Sequence, residues 1–281
     1  MRLIVPLDLL VREIEADADR SNKRRTVRIC LNKHHIKVQF RSKFDSEAEK
    51  YGLFKNKGLR FISEFEKLQI LTLISSLANS AVPVLDVGCG WGRYLSVVSK
   101  GLVNSVGVDL SRQMLRTGRS KFSQLDLMQA DMAHLPLKDS VFSLVYSVRA
   151  FKYSPDPQLA LKEICRICKK DGFVLLYEVN NALSFAYLGA SCCLIRRFFN
   201  LFSILQRGAW TTNPFRMKRL LESVGFNKVS YKGLLFIPDR LYIFTETRLL
   251  LKTLSALERV ATTIWPLRVF AYGILYLGTK P

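Results

Sequence analysis

The sequence predicts an α/β fold in which helices cover both faces of a doubly wound, mainly parallel sheet. The chain has 281 residues, of which 49% are hydrophobic and 23% charged, as in a globular protein that buries a substantial core. Between residues 84 and 179, short apolar runs alternate with amphipathic segments, which is typical of parallel strands joined by helices. The first run ends in a glycine-rich turn, where such sheets commonly bind a ligand.

A basic N-terminal extension, residues 1–43, precedes the main domain, which we place at residues 44–281. Within the extension, residues 26–40 alternate apolar and polar side chains with the period of a β-strand. Residues 32 and 33 would form a turn, so the pattern predicts a β-hairpin. Residues 61–78 instead carry apolar side chains at every third or fourth position, which predicts an amphipathic helix.

Five short apolar runs then predict the parallel strands. They occupy residues 84–87, 105–110, 124–131, 142–147 and 173–179. The helices between them are expected at about residues 91–99, 111–121 and 156–172. Ser111 should be the N-cap of the second helix, because its hydroxyl can accept a hydrogen bond from the first turn. Lys169, Lys170 and Gly172 are typical of a helix end and close the third.

The pattern changes after residue 180. The later elements are helical insertions at about 180–213 and 240–264, a helix at 213–226, and strands at 228–238 and 268–280. The insertions combine Leu and Phe residues with basic side chains, and we expect them to lie on the substrate side of the domain. Neither insertion contains the 18 or more uncharged apolar residues that a membrane-spanning helix needs.

The glycine turn lies in VLDVGCGWGRYL, residues 84–95. Its pattern is G-x-G-x-G, whereas the dinucleotide pattern G-x-G-x-x-G would need a third glycine at Arg93. The signature of a nucleoside triphosphate loop is also missing from the sequence. Asp86 lies just before the turn, where a carboxylate would repel a pyrophosphate but attract an ammonium group. These features favour S-adenosylmethionine, which carries an ammonium and a sulfonium but no phosphate.

Two more acids follow the second and third predicted strands. Asp109 can accept hydrogen bonds from ribose hydroxyls. Asp131 can accept from the exocyclic amine of adenine, with Met132 packed on the ring, although a simple turn or N-cap role also fits Asp131. Because the carboxyl ends of parallel strands meet at one edge of a sheet, Asp86, Asp109 and Asp131 should face one crevice.

These segments resemble the successive motifs of class I S-adenosylmethionine-dependent methyltransferases. The likeness is carried by VLDVGCGWGRYL, GVDLSRQML, QADMAHLPL and residues 142–178, and it covers about residues 44–180. The nearest general type is the methyltransferase type 11 group, which includes quinone-biosynthesis enzymes. The resemblance implies a Rossmann-like seven-stranded sheet whose last strand is antiparallel, with residues 228–238 and 268–280 as its closing pair.

The resemblance also implies a set of cofactor-binding positions for S-adenosyl-L-methionine. They are Asp86, Gly88, Cys89, Gly90, Asp109, Leu110, Asp131, Met132 and Ser147. In the family's arrangement, the residues of the glycine turn meet the methionine part of the cofactor. Asp109 holds the ribose, Leu110 flanks the adenine, and Ser147 lines the methyl-transfer side.

The catalytic residues are harder to assign. Many relatives carry a paired histidine where this chain has Lys152 and Tyr153, so the role of that histidine does not transfer. Lys152, Tyr153 and Tyr51 are the candidates for a base or an orienting group, and Tyr51 matches an aromatic residue that often closes over the cofactor. No metal site is expected, because the C-x-x-C formed by Cys165 and Cys168 lacks a second pair of ligands.

The sequence leaves the methyl acceptor open. The first reading is a small lipophilic acceptor, quinone-like or lipid-like, held under the apolar insertions. The net charge of +20, concentrated before residue 60 and after residue 150, also permits RNA as the acceptor or contact with a membrane surface. A non-catalytic cofactor-binding subunit is a third alternative. Six cysteines without a secretory signal predict a cytoplasmic location, and the oligomeric state is undetermined.

Overall fold

A seven-stranded sheet forms the centre of the protein in the computed structural model. The structure describes residues 22–51, 57–78, 82–101, 104–180, 213–236, 247–264 and 267–281. The strands are β1 (Val84–Val87), β2 (Ser105–Asp109), β3 (Asp126–Gln129), β4 (Phe142–Val148), β5 (Cys168–Val179), β6 (Asn227–Leu235) and β7 (Gly273–Thr279). The α-helices of the described part are α1 (Asn22–Glu47), α2 (Lys57–Leu77), α3 (Leu95–Val98), α4 (Arg112–Lys121), α5 (Pro157–Ile167), α6 (Pro214–Ser223) and α7 (Arg248–Thr263). Two 3₁₀ turns occur at Phe151–Tyr153 and Leu267–Phe270.

The strand order is β3-β2-β1-β4-β5-β7-β6. The first five strands pair in parallel, and β7 runs antiparallel to both β5 and β6. This confirms the predicted seven-stranded Rossmann-like sheet with its last strand antiparallel. Because the chain moves outward in opposite directions from β1 and β4, a crevice opens at the carboxyl ends of these two strands.

Helices cover both faces of the sheet. On one face, Ile70 and Ile74 of α2 are completely buried against Tyr146 and Tyr177 of the central strands. On the other face, the apolar side of α5 packs on β5, and that of α6 packs on β6 and β7. Each fully buried aliphatic side chain contributes about 1.5–3 kcal/mol relative to exposure, so these faces fix α2, α5 and α6 on the sheet.

Helix α4 begins as predicted, because the Ser111 hydroxyl accepts a hydrogen bond from the amide of Met114 at 3.1 Å. Helix α5 ends earlier than predicted, at Ile167. Lys169 and Lys170 belong to β5, whose first residue already pairs with β4. Pairing with the neighbouring strand therefore overrides the local signals of a helix end.

The predicted hairpin at residues 26–40 is wrong, because these residues lie within α1. From Lys33 onward, partly buried positions recur with a helical period, at residues 36–37, Phe40 and Phe44, and they end at the buried Ala48. Apolar residues two apart suggested a strand, but Ile36, Phe40 and Phe44 are also four apart. Tertiary contacts of that helical face decide between the two periods.

Helix α7 confirms the helical prediction for residues 240–264 from Arg248 onward. The other predicted helical insertion, 180–213, lies almost entirely outside the described residues, as do residues 1–21 of the predicted extension. Among the helices that the structure describes, none is long and apolar enough to cross a membrane.

Candidate active site

A cavity of about 510 Å³ opens at the carboxyl ends of β1, β2 and β4. Its floor is the glycine turn, and residues of α1 and α2 form its roof and side wall. The volume falls in the range of small-molecule sites, and the lining mixes aromatic rings with a few charged groups. The cavity therefore lies where an open parallel sheet binds its ligands.

The glycine turn keeps backbone close to the cavity. Gly88 has φ +77°, and its amide donates to the carbonyl of Val108 at 2.7 Å. A Cβ at Gly88 would come within 2.2 Å of the Cβ of Ala150, which follows β4. Gly92 has φ +80°, and a Cβ there would lie 2.6 Å from Leu125. The third glycine is thus required one position earlier than in the dinucleotide pattern.

Asp86 lies at the bottom of the cavity and is only 2% exposed. Burial raises its pKa from 3.8 to about 8, the nearby phenol of Tyr146 lowers it in part, and the charge of Asp109 adds to the rise. At neutral pH this carboxyl is therefore mostly protonated. A cation placed in the cavity would compensate the negative charge and favour its ionised form.

Asp109 at the end of β2 supports the glycine turn. Its carboxylate accepts from the amide of Gly90 at 2.8 Å and from the amide of Ser111 at 2.8 Å, with one bond to each oxygen. Burial raises the pKa of Asp109, and these amide bonds partly offset the effect. Each oxygen keeps a lone pair, so the group can still accept from two hydroxyls of a ligand.

Asp131 faces the far end of the cavity, where helix α1 reaches it. One carboxylate oxygen accepts from Lys37 Nζ at 2.5 Å, and the other accepts from the amide of Ala133 at 3.0 Å. Burial acts to raise the pKa of Asp131, but the Lys37 and Ala133 hydrogen bonds outweigh it and the pKa lies below its ordinary value. Asp131 is thus a charged acceptor that also ties α1 to the loop after β3.

A partly buried ion pair lies near the glycine turn. Glu66 of α2 is 4% exposed and pairs with Arg149, which directly follows β4. The same carboxylate accepts from the hydroxyl of Tyr94 at 3.3 Å and from that of Tyr177 at 3.2 Å. Both Glu66 and Arg149 line the cavity. The network fixes an arginine beside the glycine turn.

Four aromatic rings close the cavity above this pair. Phe40 and Phe44 of α1 contact the ring of Tyr153 at centroid distances of 4.9 and 5.0 Å, and Phe44 also contacts Tyr51 at 6.0 Å. Burial raises the pKa of Tyr153 to about 12, whereas Tyr51 lies at the rim of the cavity with 41% of its surface exposed. Both phenols are protonated at neutral pH and can donate hydrogen bonds, but they are poor general bases.

The structure brings most of the predicted site residues together. Those that line the cavity are Asp86, Gly88, Cys89, Gly90, Asp109, Leu110, Asp131, Met132, Tyr51 and Tyr153. Ser147 and Lys152 are not among the lining residues. The hydroxyl of Ser147 is buried without a partner among the described residues, and Lys152 Nζ lies over the Tyr153 ring, 5.1 Å from its centroid.

Sequence reasoning missed Lys37, Glu66 and Arg149. Glu66 belongs to a series of helix positions that face the sheet and are otherwise apolar, namely Ile62, Ile70 and Ile74. An acid in such a position needs a partner, because charged side chains are rarely buried alone. Arg149 stands directly after β4, where parallel sheets present their ligand-binding groups. These two signals were present in the sequence, but only the fold joins them.

The cavity fits S-adenosylmethionine. Asp86 is a buried carboxyl without a cationic partner among the described residues, and a side chain at Gly88 in the adjoining turn would clash with Ala150. Asp109 and Asp131 supply acceptors at the next two strand ends. Within the described part of the chain, no group of three or more His, Cys, Asp or Glu residues is arranged to hold a metal ion.

Residues 85–176 match a protein-family model described as a methyltransferase domain. The chain is 32% identical over 145 residues to a malonyl-[acyl-carrier protein] O-methyltransferase of Marinomonas sp. (strain MWYL1), a match that covers 50% of this chain and 51% of that protein. It is 31% identical over 108 residues to a demethylmenaquinone methyltransferase of Staphylococcus aureus, covering 36% and 45%. The chain thus spans about half the length of the curated relatives it matches.

Solved structures share the fold at low identity. A Thermotoga maritima structure, described as a SAM-dependent methyltransferase and possible histamine N-methyltransferase, has a TM-score of 0.58 at 19% identity, covering 88% of this chain and 99% of that chain. Phosphoethanolamine N-methyltransferase 2 of Haemonchus contortus, in complex with phosphomonomethylethanolamine and S-adenosylhomocysteine, has a TM-score of 0.52 at 16% identity, covering 76% and 52%.

Proposed function

We propose that this chain, in which residues 85–176 form a class I S-adenosylmethionine-dependent methyltransferase domain, transfers the methyl group of S-adenosylmethionine to a small lipophilic acceptor. The observation that carries the proposal is Asp86, a buried carboxyl beside the glycine turn that has no cationic partner among the described residues and whose raised pKa would fall if a cation were bound there. An ammonium group supplies that cation, whereas a pyrophosphate would be repelled.

The other cofactor contacts follow the sheet edge. The backbone around Gly88, Cys89 and Gly90 would hold the methionine part close to Asp86. Asp109 has free lone pairs for two ribose hydroxyls, and Leu110 lines the same stretch of the cavity. Asp131, kept ionised by Lys37, would accept from the adenine amine next to Met132. The assignment of Ser147 to the methyl-transfer side has no such support, because it does not line the cavity.

The chain's own residues contribute position and exclusion of water. When bound, S-adenosylmethionine supplies an electrophilic methyl group on a positively charged sulfur. The glycine turn would fix the donor, while Phe40, Phe44, Tyr51 and Tyr153 enclose the space beside it. Positioning two reactants in a dry site accounts for several kcal/mol of a displacement barrier, so no covalent intermediate with the protein is required.

The roof of the cavity is largely aromatic, and this favours a small apolar molecule as the methyl acceptor. The names of two relatives specify their acceptors. One is a malonyl-[acyl-carrier protein] O-methyltransferase, and the other is a demethylmenaquinone methyltransferase. Because the matches are partial, the acceptor class is our inference from the cavity. RNA is the alternative acceptor to be tested, because α1 contains many basic residues.

The cofactor assignment is tested by calorimetric titration of S-adenosylmethionine and NAD into the purified protein and into two variants, Asp86→Asn and Asp126→Asn. Asp126 is an exposed residue of β3 outside the cavity lining and serves as the matched control. We expect binding of S-adenosylmethionine alone, weakened at least tenfold by Asp86→Asn only. Tight NAD binding without S-adenosylmethionine binding would refute the proposal.

Transfer of labelled methyl groups into a lipid extract but not into total tRNA would support the acceptor class, and the reverse result would favour RNA.

A further inference from the structure

The part of the cavity formed by the residues that follow β4, together with Tyr51, is lined by hydrogen-bond donors. The hydroxyl of Ser154, in a residue only 3% exposed, is buried at the cavity without a hydrogen-bond partner among the described residues. Neither the Tyr51 nor the Tyr153 phenol donates to another described residue, and both line the same region. Arg149, fixed by Glu66, adds a guanidinium group. This set calls for a ligand that accepts several hydrogen bonds.

The charge around these donors is positive. Arg41 and Lys50 line the mouth of the cavity and form no ion pair with a described residue. Lys43 lies 5.6 Å from the centroid of Phe44, and Lys152 lies 5.1 Å from that of Tyr153. The opposing acids that line this side are Glu66, which is paired with Arg149, and Glu47 at the edge.

The positive charge decides between two uses of the aromatic roof. Four aromatic rings suit a cationic acceptor such as an amine when their outer faces are free. Here lysines already lie over the Phe44 and Tyr153 rings, so a second cation would be repelled. An anion would instead be attracted by the lysines and bound by the donors.

We infer that the acceptor is a carboxylate on an apolar body, bound at Arg149, Ser154 and the phenols of Tyr51 and Tyr153, and that this chain forms methyl esters. The inference rests on the proposed methyltransferase function. The lone pair of one carboxylate oxygen forms the new O–CH₃ bond while the C–S bond breaks and its electron pair stays on sulfur. The products are a neutral ester and a neutral thioether, and no proton is moved.

This chemistry agrees with the residues that line the cavity. A phenol or alcohol acceptor must lose a proton as it reacts, which needs a base near its pKa. Burial raises the pKa of Tyr153 to about 12, so this phenol holds its proton and donates. A carboxylate arrives already ionised. Its second oxygen can accept from the donors while the first one attacks.

The test measures binding of decanoate, decanol and decylamine to the protein loaded with S-adenosylhomocysteine. These probes share one apolar body and differ only in the head group. We expect decanoate to bind at least tenfold more tightly than the other two, since hydrogen bonds to a charged group are worth about 1.5–3 kcal/mol, or roughly 10-fold to 150-fold in affinity. Decanoate binding no tighter than decanol would overturn the inference.

Variants connect the preference to the named groups. Ser154→Ala and the pair Tyr51→Phe with Tyr153→Phe should each reduce the decanoate preference, whereas Ser123→Ala, at an exposed position outside the cavity, should leave it unchanged. Arg149→Met with Glu66→Gln removes the ion pair without leaving a buried unpaired charge and should abolish the preference. Arg149→Lys, with Glu66 unchanged, should keep part of the preference for decanoate that the double variant loses. Equal preference in all these variants would contradict the assignment.

A chemical readout separates this inference from the proposed function. Methyl esters release methanol in alkali, whereas N-methyl, C-methyl and ether products do not. With S-adenosylmethionine labelled in its methyl group, decanoate should give label that becomes volatile after alkaline treatment. If the cofactor binds but methyl transfer to a quinol or an amine gives only alkali-stable product, the carboxylate inference fails and the methyltransferase function stands. If no cofactor binds, the proposed function itself fails.

Discussion

Replacing Asp86 by Asn should stabilise the ligand-free protein while weakening cofactor binding. Burial raises the pKa of Asp86 to about 8, whereas the same group in the unfolded chain ionises near 3.8. Between these values the folded protein binds the extra proton, so the free energy of unfolding decreases as the pH rises. Asn resembles the protonated carboxyl in shape but cannot ionise, and the variant should therefore lose this decrease.

The size of the effect follows from the two pKa values. From pH 5 to pH 8 the unfolded Asp86 is ionised throughout, while the folded group is protonated over most of the range. Each pH unit then reduces the free energy of unfolding by about 1.4 kcal/mol, or roughly 3–4 kcal/mol over the whole window. Burial raises the pKa of Glu178 to about 7 and so adds a decrease of the same sign, which the variant shares.

Urea unfolding of both proteins at pH 5 and pH 8 measures this difference. Wild type should lose more stability than Asp86→Asn as the pH rises, and the variant should be the more stable of the two at pH 8. Calorimetry at pH 7 in buffers of different ionisation enthalpy should detect release of close to one proton when S-adenosylmethionine binds wild type. Equal pH slopes for the two proteins, or binding to wild type without proton release, would refute the reasoning.

Three further predictions concern the frame of the site. Gly88→Ala combines φ +77° with a steric clash and should destabilise the protein by more than about 3 kcal/mol, seen as loss of the urea transition or of soluble protein. Ile74→Ala should reduce the free energy of unfolding by about 2–4 kcal/mol, whereas Leu68→Ala, 62% exposed on the same helix, should change it by less than about 0.5 kcal/mol. Lys37→Met should raise the pKa of Asp131, followed by NMR, and reduce stability by at most about 1 kcal/mol because the pair is partly exposed.

The strands and the glycine turn could be predicted because their determinants are local. Val84–Val87 forms a short apolar run bounded by the turn, and Ser111 caps the next helix from within its own first turn. The register of these parallel strands then brings Asp86, Asp109 and Asp131 to one edge without further information. The strand and the helix cap are each determined by a sequence pattern or a contact that spans only a few residues.

The roof of the cavity could not be predicted in this way. Residues 26–40 fit two periods, and the contacts that select the helix join Lys37 to Asp131 and Phe40 to Tyr153, more than 90 residues apart in each case. The pair of Glu66 with Arg149 spans 83 residues. Nothing near Glu66 in the sequence indicates its partner, so these groups become visible only when α2 packs beside the end of β4.

The three acids at the strand ends and the arginine that follows β4 are different parts of the cavity lining, and this has a consequence for the reaction we infer. In the arrangement we propose, Asp86, Asp109 and Asp131 would contact the positively charged donor, and Arg149 would contact the acceptor. A carboxylate and a sulfonium are charged before the reaction and neutral after it. Transfer out of water strengthens the attraction between them and leaves neutral products that need no compensating charge. The aromatic roof would then favour the reaction mainly by excluding water, while Arg149 and Asp86 keep the two reactants in separate, adjoining positions.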